Sequence, residues 1–342
     1  MQLLHVGVLN AIGAYVIWGV FPIYWKQLQA IPAIQLCMHR IVWSLFMLVV
    51  YIFASQQWTE FRRVAFTWRN VATYAISGVL VGSNWLIFVW AINAGYVVEA
   101  SLGYFINPLL TVIIGVVFFK ETLRRGQMLA IAIAVVGVLI LSISYGKFPW
   151  ISLSLALTFA GYGFVKKRAP LSSMQGLTME TAILFLPALV YLVVVEVRGT
   201  GAFLHVDAVS NVLTVGGGIV TVIPLLLFSS AAKQIPLTTL GLLQYTTPIL
   251  QFLCGVVIYH EPFSTTKLIG FVIVWVALTI FAVEGFYAMR QAKAEDAGHV
   301  DRTSAVVVDL QECVEKSTDF HLMEPGQSPA SSRHVQHGDS QR

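Results

Sequence analysis

Charge is scarce in this chain. Asp, Glu, Lys and Arg make up 11% of its 342 residues, while 57% are hydrophobic; an ordinary soluble domain is about 25% charged. That shortage excludes a soluble globular fold. Cysteine is equally sparse: Cys37 and Cys254 fall in apolar runs and Cys313 in a polar stretch, a spacing that gives neither a disulfide framework nor a zinc site. No G-x-x-x-x-G-K-[ST] phosphate loop occurs, which argues against direct use of ATP. Paired carboxylates or a His/Asp/Glu cluster at one membrane face, which a polytopic membrane enzyme needs, are not found. The reading is therefore not an enzyme, with no catalytic residue, metal or cofactor. The net charge of +4 is small and dispersed, against a nucleic-acid partner.

Long apolar runs are what the chain has in excess. A helix needs about 20 apolar residues to cross a bilayer, and ten runs reach that length, over residues 6–27, 33–54, 71–93, 97–119, 127–146, 150–168, 176–196, 209–231, 237–259 and 266–288. The first has no basic leader and no small-residue cleavage site, so it reads as a retained helix rather than a signal peptide. Pro22 is expected to bend or end it. The stretch SQQWTEFRRVAFTWRN, rich in aromatics and arginine, is expected along the inner headgroups.

One stretch recurs. Val97 to Leu123 reads VVEASLGYFINPLLTVIIGVVFFKETL, and 140 positions later the chain reads LTTLGLLQYTTPILQFLCGVVIYHEPF. Leu102 falls on Leu242, Pro108 on Pro248, Gly115 on Gly255 and Glu121 on Glu261; Gly78 likewise falls on Gly218. A central proline in an apolar helix frees a carbonyl one turn earlier, tolerated in hydrocarbon only where another partner is at hand. Two such helices at matching places in two halves point to a transport site between them, with Pro108 and Pro248 as helix breaks.

Lys and Arg set the orientation. Loops that would face the cytoplasm hold Arg62, Arg63, Arg69, Lys120, Arg124, Arg125, Lys166, Lys167, Arg168 and Lys233, with Arg290 and Lys293 after the last run; the opposite loops hold Lys26, Lys147, Arg198 and Lys267. The positive-inside bias puts both termini in the cytoplasm. Five spans separate the copies, and an odd number inverts the second. The expected fold is an all-α integral membrane protein of ten transmembrane helices in an inverted 5+5 repeat: residues 1–146, residues 147–288, and a disordered cytoplasmic tail over 289–342.

With EASLGYFINPLLTVIIGVVFFKETL, MHRIVWS and VIPLLLFSSAAKQIPLTTLGLLQYTTPILQFL, the chain resembles the RarD family of the EamA-type drug/metabolite transporter superfamily over roughly residues 5 to 290. The resemblance implies a permease of the bacterial inner membrane, with two five-helix halves around a central cavity, working by alternating access without nucleotide. It implies no settled substrate.

Few side chains within the spans are ionisable, and each is a site candidate. Arg40 cannot shed its charge, so it needs a water-filled cavity and an anionic ligand, or a structural ion pair with Glu99. Glu99 is either a proton carrier or a terminal charge on the helix dipole. His39 is an assisting titratable group or a packing residue. At 100° per residue Gly241, Gln244, Tyr245, Pro248, Gln251 and Gly255 share one stripe, as do Ser101, Tyr104, Phe105, Pro108, Thr111 and Gly115. Each stripe is a wet cavity lining or an interhelical seam. Asn84 and Trp85 complete the substrate-binding set of Arg40, Tyr104, Gln244, Tyr245 and Gln251. Trp18 and Trp90 either stack on an aromatic substrate or pack. Tyr162, Lys166 and Glu180 are secondary candidates, Lys166 being expected to snorkel to the inner interface. The function expected is secondary transport of a small metabolite or amphipathic drug, with lipid bilayer and substrate as partners and a homodimer left open; the alternative is a membrane enzyme or a sensor.

Overall fold

The helices start and stop where local chemistry dictates. Prolines 32, 149 and 236 occupy the positions just before helices, where a missing N–H costs nothing. Side chains close other N-termini: Thr67 accepts from the Asn70 N–H, Asp207 from the Ser210 N–H, and Ser172 forms a reciprocal capping box with Gln175. The computed structural model describes residues 2–94, 96–145, 147–260, 268–270, 272–285 and 287. Glu261, Cys313 and the expected tail over 289–342 lie outside the described residues.

Among the described residues the structure is helical, with no strand. The elements are α1 (Gln2–Trp25), α2 (Ala33–Ala54), α3 (Trp58–Ala65), α4 (Trp68–Asn93), α5 (Val97–Phe119), α6 (Arg125–Tyr145), α7 (Trp150–Arg168), α8 (Ser173–Val197), α9 (Ala208–Gln234), α10 (Leu237–Gln244) and α11 (Thr246–Leu253), with a π-helical turn over Cys254–Ile258. A last helix, α12, covers Leu268–Gly285. Eight segments are long and apolar enough to cross a membrane: α1, α2, α4, α5, α8, α9, the α10–α11 segment and α12. Residues up to Glu284 form one compact unit. The arginine-rich stretch folds as α3, burying Phe61 and Ala65 and exposing Arg62 and Arg63.

The proline pair behaves asymmetrically, which corrects the expectation of two helix breaks. Pro248 has no N–H to return to the Gln244 carbonyl, and the helix parts there: α10 ends at Gln244 and α11 starts at Thr246. Pro108 instead sits inside an unbroken α5. One residue from the Tyr104 carbonyl that its ring leaves without a helical donor, the Phe105 oxygen accepts the Tyr245 hydroxyl at 3.1 Å. Gly241 lets α10 approach this place, since a Cβ there would meet the Pro108 oxygen at 2.7 Å. Pro22 also lies within a continuous α1.

The two largest apolar clusters among the described residues run through the middle of the helices. One joins Tyr15, Tyr162, Phe228 and Leu240 from α1, α7, α9 and α10, with the Tyr162 and Phe228 rings stacked 5.7 Å apart. The other joins Leu102, Phe105, Ala134, Leu242 and Phe281 from α5, α6, α10 and α12.

Candidate functional site

Arg40 owes its position to two glycines on α9. A Cβ on Gly218 would meet the Trp43 carbonyl carbon at 2.7 Å, so only glycine allows α2 this close. The Ser44 hydroxyl donates to the Gly218 oxygen at 3.2 Å and locks the register. Gly217 faces the Arg40 stem, its Cβ position 3.6 Å from Cγ. The Arg40 Nε then donates to the Thr221 hydroxyl at 2.9 Å, and that hydroxyl donates onward to the Gly217 oxygen at 2.7 Å.

The guanidinium lies between two indoles. Its carbon is 5.0 Å from the Trp25 ring centroid and 4.8 Å from that of Trp85, within the range where the ring quadrupole attracts a cation. Tyr104 of α5 lies within electrostatic reach. Helices α1, α2, α4, α5 and α9 therefore converge on one cation. The four ion pairs among the described residues do not include it, so the Arg40–Glu99 pair, one of the two readings of Arg40, is absent among those residues.

Glu99 sits instead at the start of α7. Its carboxylate accepts the Ile151 N–H at 3.3 Å, and its carbonyl accepts the Ser152 hydroxyl at 2.6 Å. These contacts tie α5 to the N-terminal end of α7, where a carboxylate suits the helix dipole. His39 lies away from Arg40, its ring 4.7 Å from Phe203, in a cleft of about 510 Å³ that Gln35, Trp43, Glu196 and His205 also line.

Several other site candidates are bonded to protein. Asn84 donates to the Leu155 oxygen at 2.8 Å and the Thr158 hydroxyl at 3.0 Å, tying α4 to α7. Tyr245 is fully buried with its hydroxyl committed to α5, and Gln251 donates to the Trp18 oxygen at 3.2 Å. For Tyr245 and Gln251 the stripe is thus an interhelical seam rather than a cavity lining. Tyr104 packs edge-on against Phe88, 5.7 Å between centroids. Trp18 packs among Tyr15, Phe159 and Phe228, and Trp90 against Tyr96 and Trp150. Gln244 is buried at the helix break, where the proline leaves its carbonyl without a helical donor.

Lys166 does not snorkel. Its side chain is 1% exposed, and its ammonium donates to Glu180 at 2.7 Å. Glu180 also accepts the Ser77 hydroxyl at 2.6 Å and the Tyr162 hydroxyl at 3.3 Å. Sequence reasoning held Tyr162, Lys166 and Glu180 as secondary candidates but put Lys166 at the interface, because it belongs to the basic run Lys166–Lys167–Arg168, which reads as an interfacial anchor. It also missed Trp25 and Thr221 as neighbours of Arg40. The glycine pair on α9 was the available signal. Among the described residues no three His, Cys, Asp or Glu side chains form a metal-binding group.

The EamA-like transporter family model matches the chain twice, over residues 5–143 and 149–283. Protein RarD of Salmonella typhi is 42% identical over 286 residues, 83% of this chain and 97% of that one. The uncharacterized transporter YojE of Bacillus subtilis is 39% identical over 84% of this chain and 97% of its own length. The chloramphenicol-sensitive protein RarD of Pseudomonas aeruginosa is 29% identical over 296 residues, 85% of this chain and 98% of its own. A crystal structure at 18% identity matches with a TM-score of 0.61, covering 81% of this chain and 96% of that one, and shows the same fold. With its apolar helices and bacterial relatives, this multi-pass membrane protein belongs to the EamA-like transporter family.

Proposed function

We propose that the protein is a secondary transporter of the bacterial inner membrane that binds the anionic group of a small metabolite or amphipathic drug at Arg40. The observation that carries this reading is a guanidinium held between Trp25 and Trp85, on an apolar helix, with no acidic partner among the described residues. An unneutralised cation in hydrocarbon is costly unless water or an anion reaches it. A ligand carboxylate or phosphate supplies that charge to the guanidinium N–H groups, and the indoles supply apolar surface for the rest of the molecule.

The finer architecture in this reading is ten spans in two inverted halves, both termini cytoplasmic, rocking about the bound ligand by alternating access. The family model matching once in each half, the registered Pro, Gly and Glu residues, and the Lys/Arg asymmetry of the loops support it. The partners are the substrate and the lipid bilayer, and the working unit is a monomer or a homodimer.

The test is a thermal-shift screen of the purified chain against organic anions, amino acids and amphenicols, since a ligand that binds only the folded state raises its apparent stability. A stabilising anion whose effect vanishes in Arg40→Ala supports the reading. An anion that stabilises Arg40→Ala equally removes Arg40 from the site.

A further inference from the structure

The cleft that holds His39 has a chemistry of its own. It lies between α2 and α8, beside the apolar cluster of Cys37, Ile41 and Ala188, and its volume of about 510 Å³ falls in the range of small-molecule sites. On α2 its wall is Gln35, His39 and Trp43, which recur every fourth residue and so share one face. On α8 it is Leu189, Leu192, Val193 and Glu196, again at helical spacing.

A loop roofs the cleft. The Gln35 side-chain amide donates to the Thr200 oxygen at 2.8 Å, and its oxygen accepts the Ala202 N–H at 2.9 Å, so the connection from α8 to α9 is pinned across the start of α2. This brings the Phe203 ring to 4.7 Å from His39 and 6.0 Å from Trp43. Gln35 commits both ends of its amide to the loop. His39, by contrast, is 8% exposed and lines the cleft, and its ring has no hydrogen-bond partner among the described residues. A buried imidazole needs a polar partner, and the cleft is the open side from which one can come.

Polarity is graded with depth. Glu196 and His205, 2.8 Å apart and both largely exposed, stand at the mouth. His39 lies one turn inward of Gln35, about 6 Å along the helix. Leu189, two turns from Glu196 and about 10 Å deeper, ends the cleft together with Val42 and Val193. The lips are apolar and uncovered: Val193, Val197 and Leu204 are all exposed. On a membrane span, what meets such a lip is lipid.

We propose that this cleft binds one molecule of the surrounding bilayer, a glycerophospholipid with a primary-ammonium headgroup. Its ammonium is set against the Glu196 carboxylate and its phosphate against His205. An ester carbonyl one turn deeper accepts the His39 N–H, and an acyl chain lies along Val42, Leu189 and Val193. Glu196 repels an anionic headgroup at the mouth, so this site selects the opposite charge from Arg40. The inference goes beyond the transport reading and does not depend on it.

Photocrosslinking reads the occupant. The full-length chain with p-benzoylphenylalanine in place of Val193 is reconstituted in vesicles of equal parts dioleoyl phosphatidylethanolamine and dioleoyl phosphatidylglycerol, irradiated, and its lipid adducts are identified by mass spectrometry. The same probe in place of Val212 reports bulk lipid: Val212 is exposed and as far from the start of α9 as Val193 is from the end of α8. The ratio of ethanolamine to glycerol adducts at position 193 should exceed that at position 212 by about threefold, in line with a partly exposed ion pair. Glu196→Gln, at an exposed position that leaves the fold intact, should bring the two ratios together. His39→Phe keeps a ring against Phe203 and should lower the adduct yield at position 193 by about threefold, the worth of one hydrogen bond, with the yield at position 212 unchanged. Equal ratios at the two positions, or a preference that survives Glu196→Gln, overturn the proposal. Loss of the lipid adduct at position 193 on adding saturating chloramphenicol also overturns it, assigning the cleft to a soluble amphiphile. None of these outcomes bears on the anion screen at Arg40, so the failure of one reading is told apart from the failure of the other.

Discussion

The Arg40 guanidinium carbon sits 4.8 Å from the Trp85 ring centroid, with α4 presenting the indole and α2 the cation. A Lys at position 40 keeps the charge, but it loses the delocalised guanidinium beside the indoles and the Nε bond to Thr221. Arg40→Lys should weaken binding of a stabilising anion by about tenfold, given about 0.5–2 kcal/mol for the cation–π contact and a similar amount for the hydrogen bond. Ligand titrations followed by thermal shift check this, and unchanged affinity would show that only the charge matters.

Removing one member of the Lys166–Glu180 pair should be far worse than removing both. Lys166→Met leaves a carboxylate in a dry seam and should cost about 3–5 kcal/mol, whereas Lys166→Met/Glu180→Gln should recover most of that loss. Reversible unfolding in bicelles measures both, and additive losses would mean that water already reaches the pair.

Gly218 should tolerate no side chain. Its added Cβ meets the Trp43 backbone at 2.7 Å, while one on Gly161 meets only Leu80 methyls at 3.6 Å. Gly218→Ala should lose about 1–3 kcal/mol from overpacking and also disturb Arg40; Gly161→Ala should be neutral or gain up to about 1 kcal/mol of helix propensity. Unfolding midpoints and anion affinity of the two variants give the comparison.

Glu121 staples the two copies of the recurring stretch. Its carboxylate, at the end of α5, accepts the Leu237 and Thr238 N–H groups of α10, each at 2.8 Å. Glu121→Gln keeps one acceptor oxygen and loses the other, so a loss of about 1.5–3 kcal/mol is expected for a charge-assisted bond. An unchanged midpoint would show that the α10 terminus is held by other contacts.

Asp207 provides a pH dependence outside the membrane-spanning segments. Bonds from the Ser210 hydroxyl and N–H hold its carboxyl below the usual carboxylate range. Because the folded value is the lower one, its stabilisation is complete above the unfolded value of about 3.9 and fades as pH falls through the folded value. The midpoint difference between the parent and Asp207→Ala should thus be full down to the unfolded carboxylate value and shrink as pH falls through the folded one; a difference that stays constant in acid assigns the effect to helix capping by shape alone.

Composition and pattern were enough for the membrane class, the family and most helix positions. Apolar runs of spanning length leave little choice in hydrocarbon, where every backbone group must be satisfied internally. The registered Pro, Gly and Glu residues made the recurrence readable, and Arg40 stood out because an arginine within a span is costly wherever it points. What the neighbours do was decided only in three dimensions. Pro108 and Pro248 are equivalent in sequence, yet one helix stays whole beside the Tyr245 hydroxyl and the other parts at Tyr245 itself. Lys166 looks like an ordinary interfacial lysine, and only the close approach of α4, α7 and α8 turns it toward one buried carboxylate. Pattern reports which residues dislike water or lipid; the partner that satisfies each one is fixed by helix contacts between residues far apart in the chain.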